Sequence, residues 1–452
     1  MLKGMSVAAT TLGCKVNQAE TDSMLDMLKA AGANIVEFDE KADIYIVNTC
    51  SVTNIADKKS RQMLHRARKM NPDGIVIAAG CYVQSAREIL EQDEAIDIVI
   101  SNNKKKSITE IVNDYINVRN NGKNAPGKDH EAMEYFVDIS GETEYEEMGG
   151  HVPVGHTRAY VKIQDGCNQF CSYCIIPYVR GRIRSRSQEA ILAEVSELAE
   201  AGIKEVVLTG IHISSYGKDK NNEGALIELI EAISKIKGIK RIRLGSLEPG
   251  IITEEFVERI SSNSKVCPHF HLSLQSGCDS VLKRMNRKYT CKQYFEKCDM
   301  LRKAYKSPAL TTDVIVGFPG ETEEEFAETV RYLTELNLYE MHIFKYSPRK
   351  GTVAAAMKEQ VAPEIKNERS DVLLKLAHDN KTAYEARFEG CELEVLVEEV
   401  VKKDNKTYLR GHTERYMDIL IDVGDISMPE SFVNSFVYVT YTQNGGNLPL
   451  LL

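Results

Sequence analysis

The sequence predicts an α/β protein in three parts: an N-terminal α/β domain with a parallel sheet, a partial (β/α)6 barrel, and a small C-terminal antiparallel β-barrel. The first two parts are predicted because short apolar runs alternate with helical periods in the first quarter of the chain and again in its middle. The third part is predicted from short alternating runs separated by turn residues, without a helical period. The expected boundaries are 3–118 for the first domain, 119–152 for an acidic linker, 153–384 for the barrel and 386–452 for the last domain.

Composition favours a globular protein of the cytoplasm. The 452 residues are 43% apolar and 27% charged, which is ordinary for globular domains, and the chain is too long for one core. No run of about 18 apolar residues indicates a membrane span, and the first residues lack an export signal. The net charge of −9 does not indicate nucleic-acid binding, so any such surface must be a local basic patch.

The eleven cysteines point to metal chemistry. An odd number of cysteines in a long chain without an export signal argues against a disulfide framework. Six of them form two groups whose spacing or position is typical of ligands of a metal ion or cluster. The other five are interpreted as packing residues: Cys267, Cys278, Cys291, Cys298 and Cys391.

A β-α-β series predicts the N-terminal domain. The runs SVAATTL, DIYIVN, GIVIAAG and DIVIS have the length and apolar content of buried strands. Between them, residues 20–32 and 54–70 have helical periods. Strands that alternate with helices form parallel sheets, and the carboxyl ends of such strands share one edge of the sheet.

An acidic stretch interrupts this pattern. Residues 129–147 contain eight acids and neither lysine nor arginine, and two glycines follow shortly after. Such a composition predicts a linker or a loosely held excursion from the domain.

Six further strand-like runs predict the barrel, because helical stretches separate them. They are RAYVKI, KEVVLTG, KRIRLGS, FHLSLQ, LTTDVIVGF and YEMHIFKYS. The barrel is expected to be incomplete, since the pattern of a seventh and an eighth strand is missing. From about Arg387 the runs alternate without helices, which predicts a small antiparallel barrel of roughly 65 residues.

Three cysteines share one loop directly after the first barrel strand. Cys167, Cys171 and Cys174 have the spacing C-x3-C-x2-C. Zinc sites favour two pairs of ligands, and no histidine follows until His212. A cubane iron–sulfur cluster held by three thiolates keeps one iron without a protein ligand, which suits a reactive site. A structural zinc site or buried thiols are the alternatives.

Three more cysteines are far apart in sequence, but each follows directly on a strand-like run of the first domain. They are Cys14 in TTLGCKVNQAE, Cys50 in YIVNTCSVTN and Cys81 in VIAAGCYVQ. Because parallel strands end at one edge of a sheet, the three thiols are expected to converge. A second cluster held by three cysteines is therefore predicted, and thiols that only pack are the alternative.

The cysteine loop, with Tyr173 just before its last cysteine, resembles the loop of the radical S-adenosylmethionine (SAM) enzymes. The resemblance implies that the open iron binds the amino and carboxylate groups of S-adenosylmethionine, whose one-electron cleavage gives a 5′-deoxyadenosyl radical. Later strand ends look like the family's cofactor-binding positions, which implies roles for Gly210, Gln275 and Asp313. Ordinary strand-to-helix turns are the alternative for each of these three residues.

Together, the two thiol groups, the barrel and the last domain resemble the methylthiotransferases over essentially the whole chain. The resemblance implies that the three N-terminal thiols hold an auxiliary [4Fe-4S] cluster and that the three loop thiols hold the radical-generating [4Fe-4S] cluster. It implies that the last domain is a TRAM domain that binds substrate. An external electron donor of the flavodoxin or ferredoxin type and a sulfur donor are implied as partners.

Within that family, several stretches are most similar to the branch that modifies threonylcarbamoyladenosine in tRNA. These stretches are GCKVNQAETDSM, NTCSVTNIADKKSRQ, IQDGCNQFCSYCIIPYVRGRIRSR and RGHTERY. The similarity implies methylthiolation at C2 of that adenosine, beside the anticodon, with two molecules of S-adenosylmethionine. Branches that modify isopentenyladenosine in tRNA, or an aspartate of a ribosomal protein, are alternatives. A non-catalytic metal-cluster protein that binds RNA as a scaffold is an alternative of another class.

Four arginines follow the loop cysteines at every second position. Arg180, Arg182, Arg184 and Arg186 are predicted to lie on one side of an extended strand and to receive RNA phosphates. A solvated face, or binding of the cofactor carboxylate by one of them, is the alternative. The last domain argues against RNA, because residues 386–452 contain eleven acids against six lysines or arginines. This acidic balance suits a basic protein partner and keeps the ribosomal-protein branch open.

Two further basic groups are weaker candidates for an RNA surface. One lies on the helix after Cys50, where an amphipathic surface helix explains the charges equally well. The other is interpreted as a solvated face and comprises Lys283, Arg284, Arg287 and Lys288.

Overall fold

The computed structural model describes residues 2–120, 135–149, 157–404, 406–424, 428–442 and 445–447. The N-terminal domain contains strands β1 (Ser6–Thr11), β2 (Asn34–Val36), β3 (Ile44–Thr49), β4 (Ile75–Gly80) and β5 (Ile98–Ile100). Its helices are α1 (Lys15–Ala30), α2 (Asn54–Met70), α3 (Cys81–Ser85), α4 (Arg87–Glu91) and α5 (Ile108–Asn120). The strands form one parallel sheet in the order β2-β1-β3-β4-β5, as predicted.

Both faces of this sheet are covered, which explains the continuous apolar runs. Every residue of β3 and β4 is buried. Along β3, Ile44 and Ile46 pack on one face of the sheet, and Tyr45 and Val47 pack on the other. The sequence did not predict β2, because this short edge strand is largely exposed and has no apolar pattern.

The described part of the acidic stretch, residues 135–149, is fixed against both neighbouring domains. The backbone N–H of Lys106 donates to Glu146 at 2.9 Å, and the Tyr145 hydroxyl donates to the Lys162 carbonyl at 3.1 Å. Met148 packs against the core of the first domain. The prediction of a loosely held excursion is therefore wrong for these residues, because hydrogen bonds and buried apolar surface hold them. Residues 121–134 and 150–156 lie outside the described part of the chain.

Six parallel strands form the central barrel, together with one short antiparallel strand. The parallel strands are β6 (Arg158–Asp165), β8 (Glu205–Gly210), β9 (Arg241–Leu244), β10 (His269–His271), β11 (Ala309–Val316) and β12 (Glu340–Lys345). The short strand β7 (Arg184–Ser185) pairs with β6. Isolated parallel bridges link β9 to the chain around β10. Within the described residues no pairing joins β6 to β12, so the predicted partial barrel is confirmed and is open on that side.

Helices cover the outside of this barrel. The short helix α6 (Ile176–Val179) follows the cysteine loop and packs against Cys81 of the first domain. The helices on the barrel are α7 (Gln188–Glu200), α8 (Ala225–Ser234), α9 (Glu254–Ser261), α10 (Asp279–Arg284), α11 (Cys291–Ala304), α12 (Glu323–Leu336) and α13 (Pro363–Glu385). Alternate strand residues such as Val161, Leu208 and Val314 belong to the core beneath these helices. The residues between them therefore face the barrel interior, which is polar and contains Arg243 and His271. Among the described residues, none of the helices combines the length and apolar composition needed to span a membrane.

The C-terminal domain is a small β-barrel, as predicted, and this barrel is closed. Its strands are β13 (Glu392–Lys403), β14 (Lys406–Thr413), β15 (Asp418–Asp422), β16 (Phe436–Thr442) and β17 (Gly445–Asn447). They close in the order β13-β14-β15-β17-β16, and every pair is antiparallel except β15 with β17. Leu393, Val395 and Val397 alternate along β13 and point into the barrel core.

Several acids of this last domain are used to dock it on the central barrel. Arg241 donates to the Glu394 carboxylate at 2.9 Å, and Arg158 pairs with Glu398 at 3.0 Å. Arg243 donates to a carbonyl of the turn after β14 at 3.0 Å. Some of the acids that give this domain its negative charge therefore lie in an interface with arginines of the barrel. These acids do not form a surface that repels RNA.

The turn between β14 and β15 closes the amino-terminal end of the barrel interior. Tyr416 in this turn stacks on His412, with ring centroids 4.5 Å apart, and lies 5.3 Å from the His269 ring. The Arg158 and Arg243 guanidiniums lie over the Tyr416 ring at 5.0 and 4.7 Å. The last domain thus contributes an aromatic side chain to the floor of the barrel.

Acidification is expected to weaken this docking. Burial, reinforced by the positive charge of Arg243, holds the pKa of His269 well below its usual range. Because the unfolded chain takes up this proton near pH 6.5 and the folded chain does not, stability that is present above about pH 6.5 is lost as the pH falls below it. The loss is at most about 1.4 kcal/mol per pH unit for this single group. Thermal unfolding at about pH 7 and about pH 5 checks this prediction, and His269→Gln should reduce the difference between the two.

Candidate functional site

The structure brings the three N-terminal cysteines together at one edge of the sheet. Cys14 precedes α1, Cys50 follows β3, and Cys81 is the first residue of α3, directly after β4. Gly13 has φ +101°, and a Cβ added there would lie 2.8 Å from the Cys50 sulfur. Only glycine therefore lets these two segments approach so closely.

The electrostatics of these thiols agree with their proximity. Burial raises the pKa of the Cys50 thiol to about 11, and the neighbouring Cys81 and Cys14 sulfurs raise it as well. Cys50 and Cys81 are buried, whereas Cys14 is exposed. Buried thiols are stabilised as thiolates by nearby positive charge, which a metal cluster supplies.

The three loop cysteines also form one group, at the carboxyl end of β6. The backbone N–H of Cys174 donates to the Cys171 carbonyl at 2.9 Å, and that of Cys167 donates to the Gly181 carbonyl at 3.0 Å. Burial raises the pKa of Cys174 to about 12, and the Cys171 and Cys167 sulfurs contribute to the rise. The loop therefore holds three soft sulfur ligands on one side, at the end of the barrel where active sites of such folds lie.

One arginine donates a hydrogen bond to a sulfur in each group. Arg180 Nε lies 3.2 Å from Cys81 Sγ, and Arg287 lies 3.2 Å from Cys171 Sγ. Hydrogen bonds to ligand sulfurs stabilise their negative charge and tune a bound cluster. The chemistry of both donor sets therefore fits an iron–sulfur cluster. The sequence suggests that Arg287 belongs to a solvated face. The structure corrects this, because Arg287 reaches the loop cysteines.

The four arginines after the loop do not form the predicted row. Arg180, Arg184 and Arg186 are buried, and each of them pairs with acids inside the protein. The prediction that they receive RNA phosphates is wrong for these three residues, because buried ion pairs already use their charge. Arg182 alone is exposed, with its guanidinium 4.5 Å from the centre of the Phe170 ring. The extended strand is only two residues long, so the alternation does not continue along one face.

Arg180 occupies the centre of a buried ion network between the first domain and the barrel. It pairs with Glu20 on α1 and with Asp165 on β6, and Glu20 also pairs with Lys105 and Lys162. Burial alone would raise the pKa of Glu20, but the three cations outweigh this effect and hold it well below its usual range. The network therefore fixes the position of the first thiol group relative to the barrel.

Of the three residues expected to bind S-adenosylmethionine, Gly210 and Gln275 lie at or just after strand ends, whereas Asp313 lies inside β11, three residues before its end. Gly210 ends β8, where an added Cβ would lie 3.0 Å from the Gln164 carbonyl. Gln275 has φ +78°, and its N–H donates to the Asp313 carbonyl at 2.9 Å. Asp313 lies 3.3 Å from the His271 ring, and His342, which the sequence analysis missed, lies beside both.

A cavity of about 550 Å³ lies where the three parts of the protein meet. Cys14 and Lys15 line it from the first domain, Arg158 and Tyr160 from β6, and Glu398 from the last domain. Cavities of this size accommodate ligands as large as a nucleoside. A ligand in this cavity would therefore lie beside Cys14, one of the three N-terminal thiols.

Comparisons with known proteins match the two parts of the chain that contain the thiol groups. Residues 161–333 match the radical SAM superfamily, and residues 6–101 match an uncharacterized protein family, UPF0004. The chain is 39% identical over 416 residues to "Threonylcarbamoyladenosine tRNA methylthiotransferase MtaB" of Bacillus subtilis, covering 92% of this chain and 90% of that protein. It belongs to the radical SAM methylthiotransferases. It is also 35% identical to "tRNA-2-methylthio-N(6)-dimethylallyladenosine synthase" of Thermoanaerobacter pseudethanolicus, covering 96% of this chain and 90% of that protein.

Solved structures agree with the fold of this methylthiotransferase. The radical S-adenosylmethionine methyltransferase TsrM from Kitasatospora setae aligns with a TM-score of 0.55 at 14% identity. The alignment covers 76% of this chain and 77% of that one. At this level of identity the likeness concerns the fold only.

Membership of the family settles the expected cofactors. Radical SAM methylthiotransferases use S-adenosylmethionine and carry two [4Fe-4S] clusters, and this enzyme has two groups of three thiols with suitable chemistry. Of the five cysteines interpreted as packing residues, Cys267, Cys278 and Cys298 are buried and Cys291 is partly buried. Cys391 is exposed, so packing does not explain that residue.

Proposed function

We propose that this methylthiotransferase acts on tRNA and adds a methylthio group to C2 of N6-threonylcarbamoyladenosine beside the anticodon, using two molecules of S-adenosylmethionine. The observation that carries the proposal is a set of three relatives named for this modification. They come from Bacillus subtilis, Aquifex aeolicus and Thermotoga maritima, and they are 37–39% identical over 91–92% of this chain.

The proposal assigns separate roles to the two thiol groups. Cys167, Cys171 and Cys174 hold the radical-generating cluster, whereas the three N-terminal thiols hold the auxiliary cluster. When bound, the clusters and S-adenosylmethionine supply the one-electron chemistry that opens an unactivated aromatic C–H bond, which no side-chain acid or base achieves. An external electron donor of the flavodoxin or ferredoxin type and a sulfur donor complete the reaction.

The protein's own residues position these groups and shield them. Arg287 and Arg180 donate hydrogen bonds to one sulfur of each group, which stabilises negative charge on the ligands. Gly210, Gln275 and Asp313 are proposed to line the S-adenosylmethionine site in the barrel. The cavity beside Cys14 is proposed to receive the modified adenine, held away from bulk water between the three domains.

The test is mass spectrometry of tRNA nucleosides from cells with and without the gene. We expect 2-methylthio-threonylcarbamoyladenosine to disappear in the deletion strain and the unthiolated nucleoside to accumulate. A plasmid copy of the gene should restore the product, whereas a copy with Cys171→Ala should not. Unchanged levels of this nucleoside in the deletion strain would refute the proposed substrate.

Isopentenyladenosine in tRNA is the second candidate substrate. Relatives named for 2-methylthio-N(6)-dimethylallyladenosine synthesis are 35–37% identical to this chain, a range that overlaps the 37–39% of the first three. The same mass spectra distinguish the two, because the isopentenyl derivative would be lost instead. If tRNA is unchanged, the ribosomal-protein aspartate is measured next. If purified reduced protein also fails to cleave S-adenosylmethionine, the scaffold alternative is correct. The cytoplasmic location predicted from the sequence suits a tRNA substrate and stays a prediction.

A further inference from the structure

Every acid that lines the cavity beside Cys14 already has a partner. Glu20 is paired with three cations, Glu398 with Arg158, and both Glu147 and Glu194 with Arg186. The other two are also engaged: the backbone N–H of Lys106 donates to Glu146 at 2.9 Å, and Gln18 donates to Asp22 at 2.7 Å. The acids that line the cavity are Glu20, Asp22, Glu146, Glu147, Glu194 and Glu398.

The cations that line the cavity divide differently. Arg158, Lys162 and Arg186 each pair with one or more of these acids or with Asp165. Among the described lining residues, Lys15 is the cation that has no carboxylate partner. An ammonium group has three N–H donors and no acceptor, so an incoming anion would satisfy it directly.

Lys15 is held in place by aromatic rings. Its Nζ lies 5.7 Å from the centre of the Tyr160 ring on β6 and 5.8 Å from that of Tyr416 in the last domain. These cation–π contacts fix the ammonium group between the barrel and the last domain without neutralising its charge. The residue is exposed to the cavity and directly follows Cys14, a proposed ligand of the auxiliary cluster.

The other cations beside Lys15 are already paired with acids. Arg158 and Arg243 lie over the same Tyr416 ring, at 5.0 and 4.7 Å, and each of them pairs with a glutamate, at 3.0 and 2.8 Å. Behind that ring, His269 is buried, and burial and the charges of Arg243 and Lys15 hold its pKa low. Among the described cavity residues, Lys15 is therefore the cation that remains available to an anionic ligand.

We propose that Lys15 binds the carboxylate of the threonylcarbamoyl group and so selects this substrate over isopentenyladenosine. The inference rests on the proposed function and adds a specificity-determining residue to it. The two substrates differ at N6 of the adenine, where one carries a carboxylate and the other a neutral hydrocarbon. A lysine that has no carboxylate partner among the described lining residues gains an ion pair with the first substrate and none with the second.

The test compares Lys15→Gln with the matched control Lys29→Gln, which changes an exposed lysine in the last turn of the same helix. Dissociation constants are measured for three anticodon stem-loop RNAs, bearing threonylcarbamoyladenosine, isopentenyladenosine or unmodified adenosine. Lys15→Gln should weaken binding of the first RNA by about 10- to 100-fold, the usual effect of losing a hydrogen bond to a charged group. Binding of the other two RNAs should be unchanged, and Lys29→Gln should bind all three like the wild type.

A fourth RNA, in which the threonyl carboxylate is converted to an amide, tests the charge itself. The wild-type enzyme should bind this RNA as weakly as Lys15→Gln binds the natural one, and the variant should not discriminate between the two. Iron content and the electron paramagnetic resonance spectrum of the reduced clusters should be the same in both proteins.

Three outcomes would overturn the inference. They are equal weakening of all RNAs by Lys15→Gln, unchanged affinity for the threonylcarbamoyl RNA, or loss of the auxiliary cluster in the variant, which would make Lys15 a structural neighbour of the cluster. A failure of the proposed function looks different, since the wild-type enzyme would then show no preference for the threonylcarbamoyl RNA at all.

Discussion

Replacing Arg180 by methionine is expected to lower the free energy of unfolding by about 3–5 kcal/mol, the usual effect of removing one partner from a buried ion pair. Arg180 is completely buried and reaches Glu20, Asp165 and the Cys81 sulfur together. Methionine fills much of the space but leaves these acids short of positive charge in a desolvated site. Denaturant unfolding of the cluster-free protein measures the effect without a contribution from metal binding.

Arg182→Met is the matched control for this prediction. Arg182 lies two residues away and is exposed, with one cation–π contact to Phe170. Its replacement should change the free energy of unfolding by no more than about 0.5–1 kcal/mol. Equal losses in the two variants would show that the buried network does not stabilise the junction between the first domain and the barrel.

Cys171→Ala and Cys81→Ala are expected to separate the two halves of the reaction. Cys171→Ala should abolish formation of 5′-deoxyadenosine from S-adenosylmethionine, because the radical-generating cluster would lose one of three ligands. Cys81→Ala should leave that cleavage in place and abolish transfer of the methylthio group. Each variant should bind about half of the iron of the wild type, as one of two clusters is lost.

Anaerobic assays of 5′-deoxyadenosine, iron content and methylthiolated RNA check this division of roles. Cys391→Ala is the control, since this exposed thiol lies outside both groups and its loss should change none of the three. If Cys81→Ala stopped cleavage of S-adenosylmethionine in a folded protein, the proposed roles of the two clusters would be wrong.

The sequence alone determined the fold class, because the spacing of apolar residues shows which face of a helix or strand is buried, whatever the topology around it. Strands β3, β4 and β5 have apolar runs because both of their faces are covered, and the spacing of the loop cysteines indicates their chemistry. The convergence of Cys14, Cys50 and Cys81 was also predictable, since parallel strands end at one edge. The short strand β2 was not predicted, because an exposed edge strand has little hydrophobic pattern.

Only the tertiary structure decided where the charges lie. Arg180, Arg184 and Arg186 look in sequence like a phosphate-binding row, but their partners Glu20, Asp165, Glu147 and Glu194 come from other elements that fold around them. Some of the acids of the last domain likewise pair with arginines of the barrel. A charge pattern in a sequence does not say which groups are desolvated together, and desolvation is what turns an ordinary ion pair into a fixed junction.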